Sequence, residues 1–406
     1  MNKKRCVLAY SGGLDTSVCI KYLEMLHDLE VITVTVDCGQ NEDFEEIKKR
    51  SNIVGAIKHI NIDAKNEFVQ EYIAPSIKAN ALYQNKYPLA TALARPLIAK
   101  KIVEVAQEED VKIVAHGCTG KGNDQIRFDT TIMSLNPDLE IIAPIRDLNL
   151  TRDKEIQFAK EQNIPIDTEV KKYSIDVNLW GRSIEGGDLE NTYTEPPKDC
   201  FKFIKLDNND EAYLEIEFKD GLPISIDGKK MELIDLIYYL NMKAGSHGIG
   251  IIDHIEDRVV GIKSREVYES PAAVVLIEGH KDLEKLVLTS YELNFKNMVE
   301  QQWSWMVYSG LWQDPLVNDL DKFIDETQNR VTGKIRMRLQ NGSCRVVGRD
   351  SEFSLYKNSL STYNSGSSFE QNDAKGFVKL WGLQSITANS IAINLNKKKN
   401  KGELKK

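Results

Sequence analysis

The sequence predicts an α/β protein built on a doubly wound parallel sheet and followed by an α+β region. Three observations carry that prediction. Through residue 165, short apolar runs alternate with segments of helical periodicity, the pattern of parallel strands joined by crossover helices. The first strand-to-helix junction holds two adjacent glycines among hydroxyl residues, a form suited to binding an anion. After about residue 170, shorter segments interrupted by glycine and acidic residues take over, ending near an Asn-Gly hairpin.

The apolar runs place strands at Cys6–Tyr10, Val31–Val36, Ile57–Ile62, Ile113–His116 and Ile141–Ile145. Helices are expected at Thr16–Leu26, Asp43–Val54, Lys65–Ile73, Leu89–Glu108 and Asn123–Met133, and at Arg152–Gln162, which stops before Pro165. Tyr213–Phe218 and Ala273–Ile277 are short apolar segments of the second region, and Leu316–Gln328 has helical spacing. Lys334–Leu339 and Ser343–Gly348 alternate with period two around Asn341-Gly342 and predict a hairpin. From Leu395 the chain is lysine-rich and of low complexity, the composition of a solvated terminus. In an open parallel sheet, ligands sit beyond the carboxyl ends of the strands. The loops after Tyr10, Val36, Ile62, His116 and Ile145 are therefore the places to look for chemistry.

Composition narrows the function classes. A 41% apolar and 28% charged chain of 406 residues reads as an ordinary globular protein of two or three domains. No apolar run approaches the ~20 residues of a membrane span, and the basic start at Met1–Arg5 leads into no signal-peptide core. Six scattered cysteines without a Cys-x-x-Cys indicate neither a zinc site nor a disulfide framework and suit a reducing cytoplasm. A net charge of −8 argues against broad attraction to nucleic acid.

Ser11-Gly12-Gly13-Leu14-Asp15-Thr16-Ser17 follows the first strand directly. Glycines there allow close backbone approach, and the N-terminus of the next helix aims N–H groups and a positive dipole end at one point. A Walker-type lysine is missing, and so is the Gly-x-Gly-x-x-Gly dinucleotide fingerprint. A second glycine-rich block, His116 to Phe128, combines Thr119, Asn123, Asp124 and Arg127. That set suits an amino-acid zwitterion, with Asp124 for the ammonium and Arg127 for the carboxylate; a capped helix start with a local Asp–Arg pair explains it equally well. Two further clusters, Tyr173–Asp176 with Arg182–Gly187 and Glu256–Arg258 with Tyr268–Pro271, taken singly look like caps and surface turns.

The first loop resembles the pyrophosphate loop of the ATP pyrophosphatase superfamily. Taken in order, that loop, Tyr87–Pro96, His116–Phe128, Tyr173–Glu185 and the Tyr268 segment resemble argininosuccinate synthase of the bacterial type, from about Val7 to about Leu383. The resemblance implies a nucleotide-binding domain over 1–168, a catalytic and multimerisation domain over 169–362 and an oligomerising helical segment over 363–390. The basic tail, 391–406, is expected to be disordered. It implies ATP held by Ala9, Tyr10, Ser11, Gly12, Gly13, Leu14, Asp15, Thr16, Ser17 and Gly117. Aspartate falls to Thr119, Asn123 and Asp124. Citrulline falls to Tyr87, Asn123, Arg127, Ser174, Ser183, Glu256 and Tyr268. Some members carry a serine where this chain has Ala92, so Thr91 is expected to supply that hydroxyl.

The implied reaction consumes ATP, carried with Mg2+, and joins citrulline to aspartate with release of AMP and pyrophosphate. A ureido carbonyl is a poor electrophile, so its oxygen is expected to attack the α-phosphate first, giving a citrulline adenylate that the aspartate amine then opens. Asp124, Asn123 and Asp15 are the expected catalytic residues, and a homotetramer in the cytoplasm is the expected setting. No resident metal is expected. A tRNA-modifying thiolase would want a basic surface and catalytic cysteines. A glutamine amidotransferase would want its own glutaminase, often with cysteine at position two, where this chain has Asn2. A nucleotide-binding protein without turnover is the alternative from another class.

Overall fold

A computed structural model of the chain describes residues 3–165, 172–208, 210–364 and 366–401. It forms two compact units, Met1–Phe353 and Ser354–Lys406. The domain boundary expected at residue 168 lies outside the described residues.

Five strands of the first unit, β1 (Lys4–Ala9), β2 (Leu29–Asp37), β3 (Lys58–Asp63), β4 (Ile113–Ala115) and β5 (Glu140–Ile142), form one sheet in the order β3-β2-β1-β4-β5. All neighbours run parallel, with Val7 beside Ile32 and Leu8 beside Ala115. The central strands are buried on both faces, which is why they read as largely apolar runs, broken in β2 only by the buried Thr33 and Thr35. Cys6 and Leu8 pack with Val18, Cys19, Ile20 and Leu23 of α1 (Leu14–His27). Val7, Val34 and Val36 share the other core with Leu93 and Leu97, which lie on a helix spanning Ala90–Glu108. This is the doubly wound architecture that the alternation predicts. The strand order reverses between β1 and β4, the switch point beyond whose carboxyl ends such sheets bind ligands.

Three local expectations need correction. The strand expected at Ile141–Ile145 ends at Ile142, and Pro144, pre-set for a helical first turn, opens the short helix Pro144–Asp147. The helix expected at Lys65–Ile73 starts as an α turn and widens into a π-helix over Phe68–Ile73. The tail expected to be disordered is helical through Asn400, within the helix Leu383–Asn400; residues 402–406 lie outside the described residues. Lys397, Lys398 and Lys399 in its last turn suit the negative end of the helix dipole, a favourable term that lysine richness had hidden.

Four antiparallel strands make a second sheet: β6 (Ser174–Asn178), β7 (Gly181–Glu185) and the pair Ile251–Asp257 and Lys263–Glu269. It is tied to the carboxyl end of the first by hydrogen bonds at its β6–β7 turn. Leu179 N–H donates to Cys38 O at 2.9 Å, Asn178 Nδ2 to Ala90 O at 2.9 Å, and the fully buried Trp180 Nε1 to Pro88 O at 2.8 Å. A third sheet of five strands contains the predicted hairpin, Gly333–Gln340 with Ser343–Asp350. Ala273–Ile277 belongs to the helix Pro271–Val287. In the second unit, Phe377 and Trp381 stack at 5.3 Å on the helix Gln371–Trp381 and are exposed.

Candidate active site

In the loop after β1, Ser11 N reaches Thr16 Oγ1 and Gly13 N reaches Ser11 Oγ, both at 3.4 Å. Gly12 takes φ +74°, a left-handed conformation that favours glycine, and its carbonyl is held by Arg50 Nη1 at 2.8 Å. The N-cap of α1, Gly13, has no capping side chain, so no side chain competes with a ligand for the first-turn donors. Ser11 Oγ and Thr16 Oγ1 lie 3.2 Å apart across the loop, and Ser17 Oγ meets Tyr10 OH at 3.1 Å. Ser11 and Gly13 are exposed, whereas Ala9, Tyr10 and Ser17 are buried.

Gly117 brings the loop after β4 against the first loop. A Cβ there would meet Thr16 Cγ2 at 3.1 Å, so a side chain at this position would crowd the first loop. Beneath α1, Arg152 Nη1 pairs Asp15 Oδ1 at 2.6 Å, and Glu155 is 3% exposed with Oε2 lacking a hydrogen-bond partner. Burial first, then the Asp15 carboxyl beside it, pushes Glu155 up to about 8.

Further along the second loop, Asp124 opens the helix Asp124–Leu135. Its Oδ2 accepts from Arg95 Nε at 2.8 Å and its Oδ1 from Arg127 Nη1 at 3.0 Å. Burial works to raise this carboxyl, but Arg95 and Arg127 outweigh it and hold it below its ordinary value. Arg127 also donates Nε and Nη2 to Tyr308 O, at 3.1 and 2.9 Å. Those contacts use three of its five N–H groups and leave one on each terminal nitrogen, an arrangement open to a carboxylate.

A buried polar chain joins this loop to the second sheet. Asn123 Nδ2 donates to Tyr308 OH at 2.8 Å, Tyr308 OH to Glu256 Oε1 at 2.6 Å, and Tyr268 OH to Glu256 Oε2 at 2.6 Å. Asn123 Oδ1 accepts from Val259 N at 2.9 Å. Tyr87 stacks on Tyr268 at 4.1 Å, and its hydroxyl accepts from Thr91 N at 2.8 Å. Across the sheet, Asp176 pairs Ser183 and Ser183 pairs Tyr268, so these side chains share one face; Ser174, two residues from Asp176, lies on it too.

The structure thus brings Tyr87, Asn123, Asp124, Arg127, Ser183, Glu256 and Tyr268 into one connected region, with the anion loop at the same end of the parallel sheet. Thr119 stands exposed on the second loop. Thr91 Oγ1 donates to Asp176 Oδ2 at 2.9 Å, so its proton is already committed, and Ala92 is fully buried. Sequence reasoning gave no role to three residues of this region: Tyr308, Arg95 within Tyr87–Pro96, and Asp176 within Tyr173–Asp176. Tyr308 ends an apolar run and carries no sequence signal. Arg95 did leave one, a lone cation inside the apolar stretch Ala90–Ile98; its guanidinium bridges Asp124 and Asp176, the latter at 3.1 Å.

Comparison with known proteins identifies the family. The arginosuccinate synthase N-terminal HUP domain matches residues 5–165, and the arginosuccinate synthase C-terminal domain matches residues 173–388. The argininosuccinate synthase of Pyrococcus furiosus is 52% identical over 404 residues, covering 99% of this chain and 98% of its own. That of Dictyoglomus turgidum is 54% identical, covering 95% and 97%, and that of Methanocaldococcus jannaschii is 54% identical, covering 94% and 96%. With both domain families matched and half its residues identical to these relatives along nearly the whole length, the chain belongs to the argininosuccinate synthase family and is an ATP-dependent ligase of arginine biosynthesis.

Proposed function

We propose that the two loops and the second sheet divide the three substrates as follows. ATP lies along Ala9–Ser17 and Gly117, with its phosphates on the N-terminus of α1. Citrulline lies on the sheet face, its carboxylate on the two free N–H groups of Arg127 and its ammonium on Glu256. Each Glu256 oxygen accepts one tyrosine hydroxyl and keeps a lone pair for the ligand. Tyr87, Thr91, Ser174, Ser183 and Tyr268 add neutral contacts. Aspartate meets Thr119, Asn123 and Asp124, so Asn123 stands between the two amino acids. The Asn123–Tyr308–Glu256–Tyr268 chain carries this reading, because it links the aspartate loop and the citrulline face through buried hydrogen bonds.

The ureido oxygen attacks the α-phosphate in line; the bond to the bridging oxygen breaks and pyrophosphate leaves from the Ser11–Ser17 loop. Preorganised donors there stabilise the departing charge. Aspartate's amine then attacks the activated carbon and expels AMP. A carboxylate held ionised by two arginines is a weak base, so Asp124 orients the amine and the proton passes more readily to a phosphate oxygen of the leaving AMP. Mg2+ arrives with ATP as part of the substrate. Among the described residues no three acidic, histidine or cysteine side chains converge on a metal, and Asp15 is the carboxylate the loop itself offers. Cytoplasmic location and a homotetramer complete the proposal. The exposed Tyr291, Phe295, Met298 and Trp305 on the helix Ser290–Tyr308 provide apolar surface for subunit contact.

Pyrophosphate release from ATP and magnesium tests the scheme, with citrulline and aspartate supplied separately and together. Sustained release with equal AMP only when both are present supports it. Release with neither amino acid, or none in any combination, overturns it.

A further inference from the structure

Arg258 stands two residues beyond Glu256, at the turn joining the strands Ile251–Asp257 and Lys263–Glu269. Its guanidinium is mostly buried and uses four of its five N–H groups. Nη2 donates to Glu185 Oε2 and, at 2.7 Å, to Glu266 Oε1; Nε donates to Ser264 Oγ at 2.9 Å. Glu185 lies two residues from Ser183, and Glu266 two residues from Tyr268, so both carboxylates project from the face proposed for citrulline. The remaining contact leaves the sheet: Nη1 donates to Lys121 O at 3.3 Å, on the loop that carries Thr119, Asn123 and Asp124. The next residue repeats the connection, since Val259 N donates to Asn123 Oδ1 at 2.9 Å. The turn itself is braced by Arg258 N to Ile262 O at 2.8 Å and Gly261 N to Arg258 O at 2.9 Å.

We infer that Arg258 is a positioning residue for the second half-reaction, a clamp fastened to the citrulline face by Glu185 and Glu266 that sets the aspartate loop against it. The two carboxylates hold Nη2 while Nε and Nη1 reach Ser264 and Lys121 O, a planar spread over three nitrogens that lysine's single ammonium cannot reproduce. The clamp holds Lys121 O and, through Val259, the amide of Asn123, so the aspartate amine is presented at the activated carbon. Small displacements of a nucleophile cost large factors in rate. The anion loop, Arg127 and Glu256 receive no contact from this guanidinium among its hydrogen bonds, so adenylation depends on it far less.

The inference rests on the proposed substrate arrangement, and two reactions separate them. Citrulline-dependent exchange of labelled pyrophosphate into ATP, without aspartate, reads adenylation alone. Argininosuccinate formation at varied aspartate reads the second step. In Arg258→Ala, exchange is expected to stay within about threefold of the parent, while the aspartate KM rises about tenfold or more. R258K is expected to recover little of this, and Glu185→Gln, which keeps the shape and removes one anchoring charge, to shift the aspartate KM in the same direction by less. Equal loss of both reactions in R258A and E185Q would reduce Arg258 to a structural role and overturn the inference, as would an unchanged aspartate KM. Absence of citrulline-dependent exchange in the parent protein would instead overturn the substrate arrangement itself. Should R258A fail to fold, R258K and E185Q decide the matter by the same split.

Discussion

Replacing Glu155 with glutamine tests whether a buried carboxyl beneath the anion loop carries a proton at neutral pH. Glu155 is 3% exposed, and burial with the adjacent Asp15 moves its carboxyl from 4.5 to about 8. A group whose folded value lies above its unfolded one binds more protons in the native state between the two values. Its stabilising contribution is therefore complete below about pH 4.5 and is lost as pH rises through about 8. At ~1.4 kcal/mol per pH unit that interval caps the loss at ~5 kcal/mol; because Asp15 shares the titration, a change on the order of 2–4 kcal/mol is expected. Glutamine keeps the shape and offers an N–H donor at every pH. Urea midpoints of parent and Glu155→Gln, measured from pH 5 to 8.5 at constant ionic strength, should diverge, with the parent losing stability relative to the variant toward high pH. Parallel curves would show that Glu155 is ionised throughout and refute the reasoning.

The remaining predictions concern the substrates. Asp124→Asn should raise the aspartate KM by at least about tenfold while citrulline-dependent pyrophosphate exchange falls much less; equal losses in the two assays would contradict its assignment to aspartate. Arg127→Ala should raise the citrulline KM about 100-fold, the loss of two charge-assisted hydrogen bonds, and steady-state kinetics at saturating ATP and aspartate will read it. Tyr308→Phe leaves Asn123 Nδ2 and Glu256 Oε1 each short of a buried partner, worth about 1–3 kcal/mol. A citrulline KM unchanged in that variant would show that the hydroxyl chain does not order the site.

Much of the parallel-sheet region was legible in the chain because its signals are local. Cys6–Leu8 is apolar without interruption and Val31–Val36 is broken only by the buried hydroxyls of Thr33 and Thr35, as expected of strands covered on both faces. The glycine pair at Gly12–Gly13 announces a backbone that turns sharply beside a helix N-terminus, and the Asn341-Gly342 turn announces its hairpin. Boundaries were less legible where a single residue decides them, as at Pro144, or where neighbours override propensity, as in the π-helical stretch Phe68–Ile73.

The site was legible in its residue types and illegible in its wiring. Asp124 and Arg127 stand one helical turn apart, so their pairing follows from sequence spacing. Tyr308 lies 185 positions from Asn123 and ends an apolar segment, yet its hydroxyl joins Asn123 to Glu256. Arg95 looked like a member of a helix, but the fold places Asp124 and Asp176 on either side of its guanidinium. By itself the sequence determined the strand and helix alternation, the glycine turn before the first helix and the family, because each depends on neighbours within a few residues or on blocks in fixed order. Only the tertiary structure decided which carboxylates stay charged, which hydroxyls are already engaged and where Arg258 reaches, because burial and charge partnership arise only when distant segments pack together.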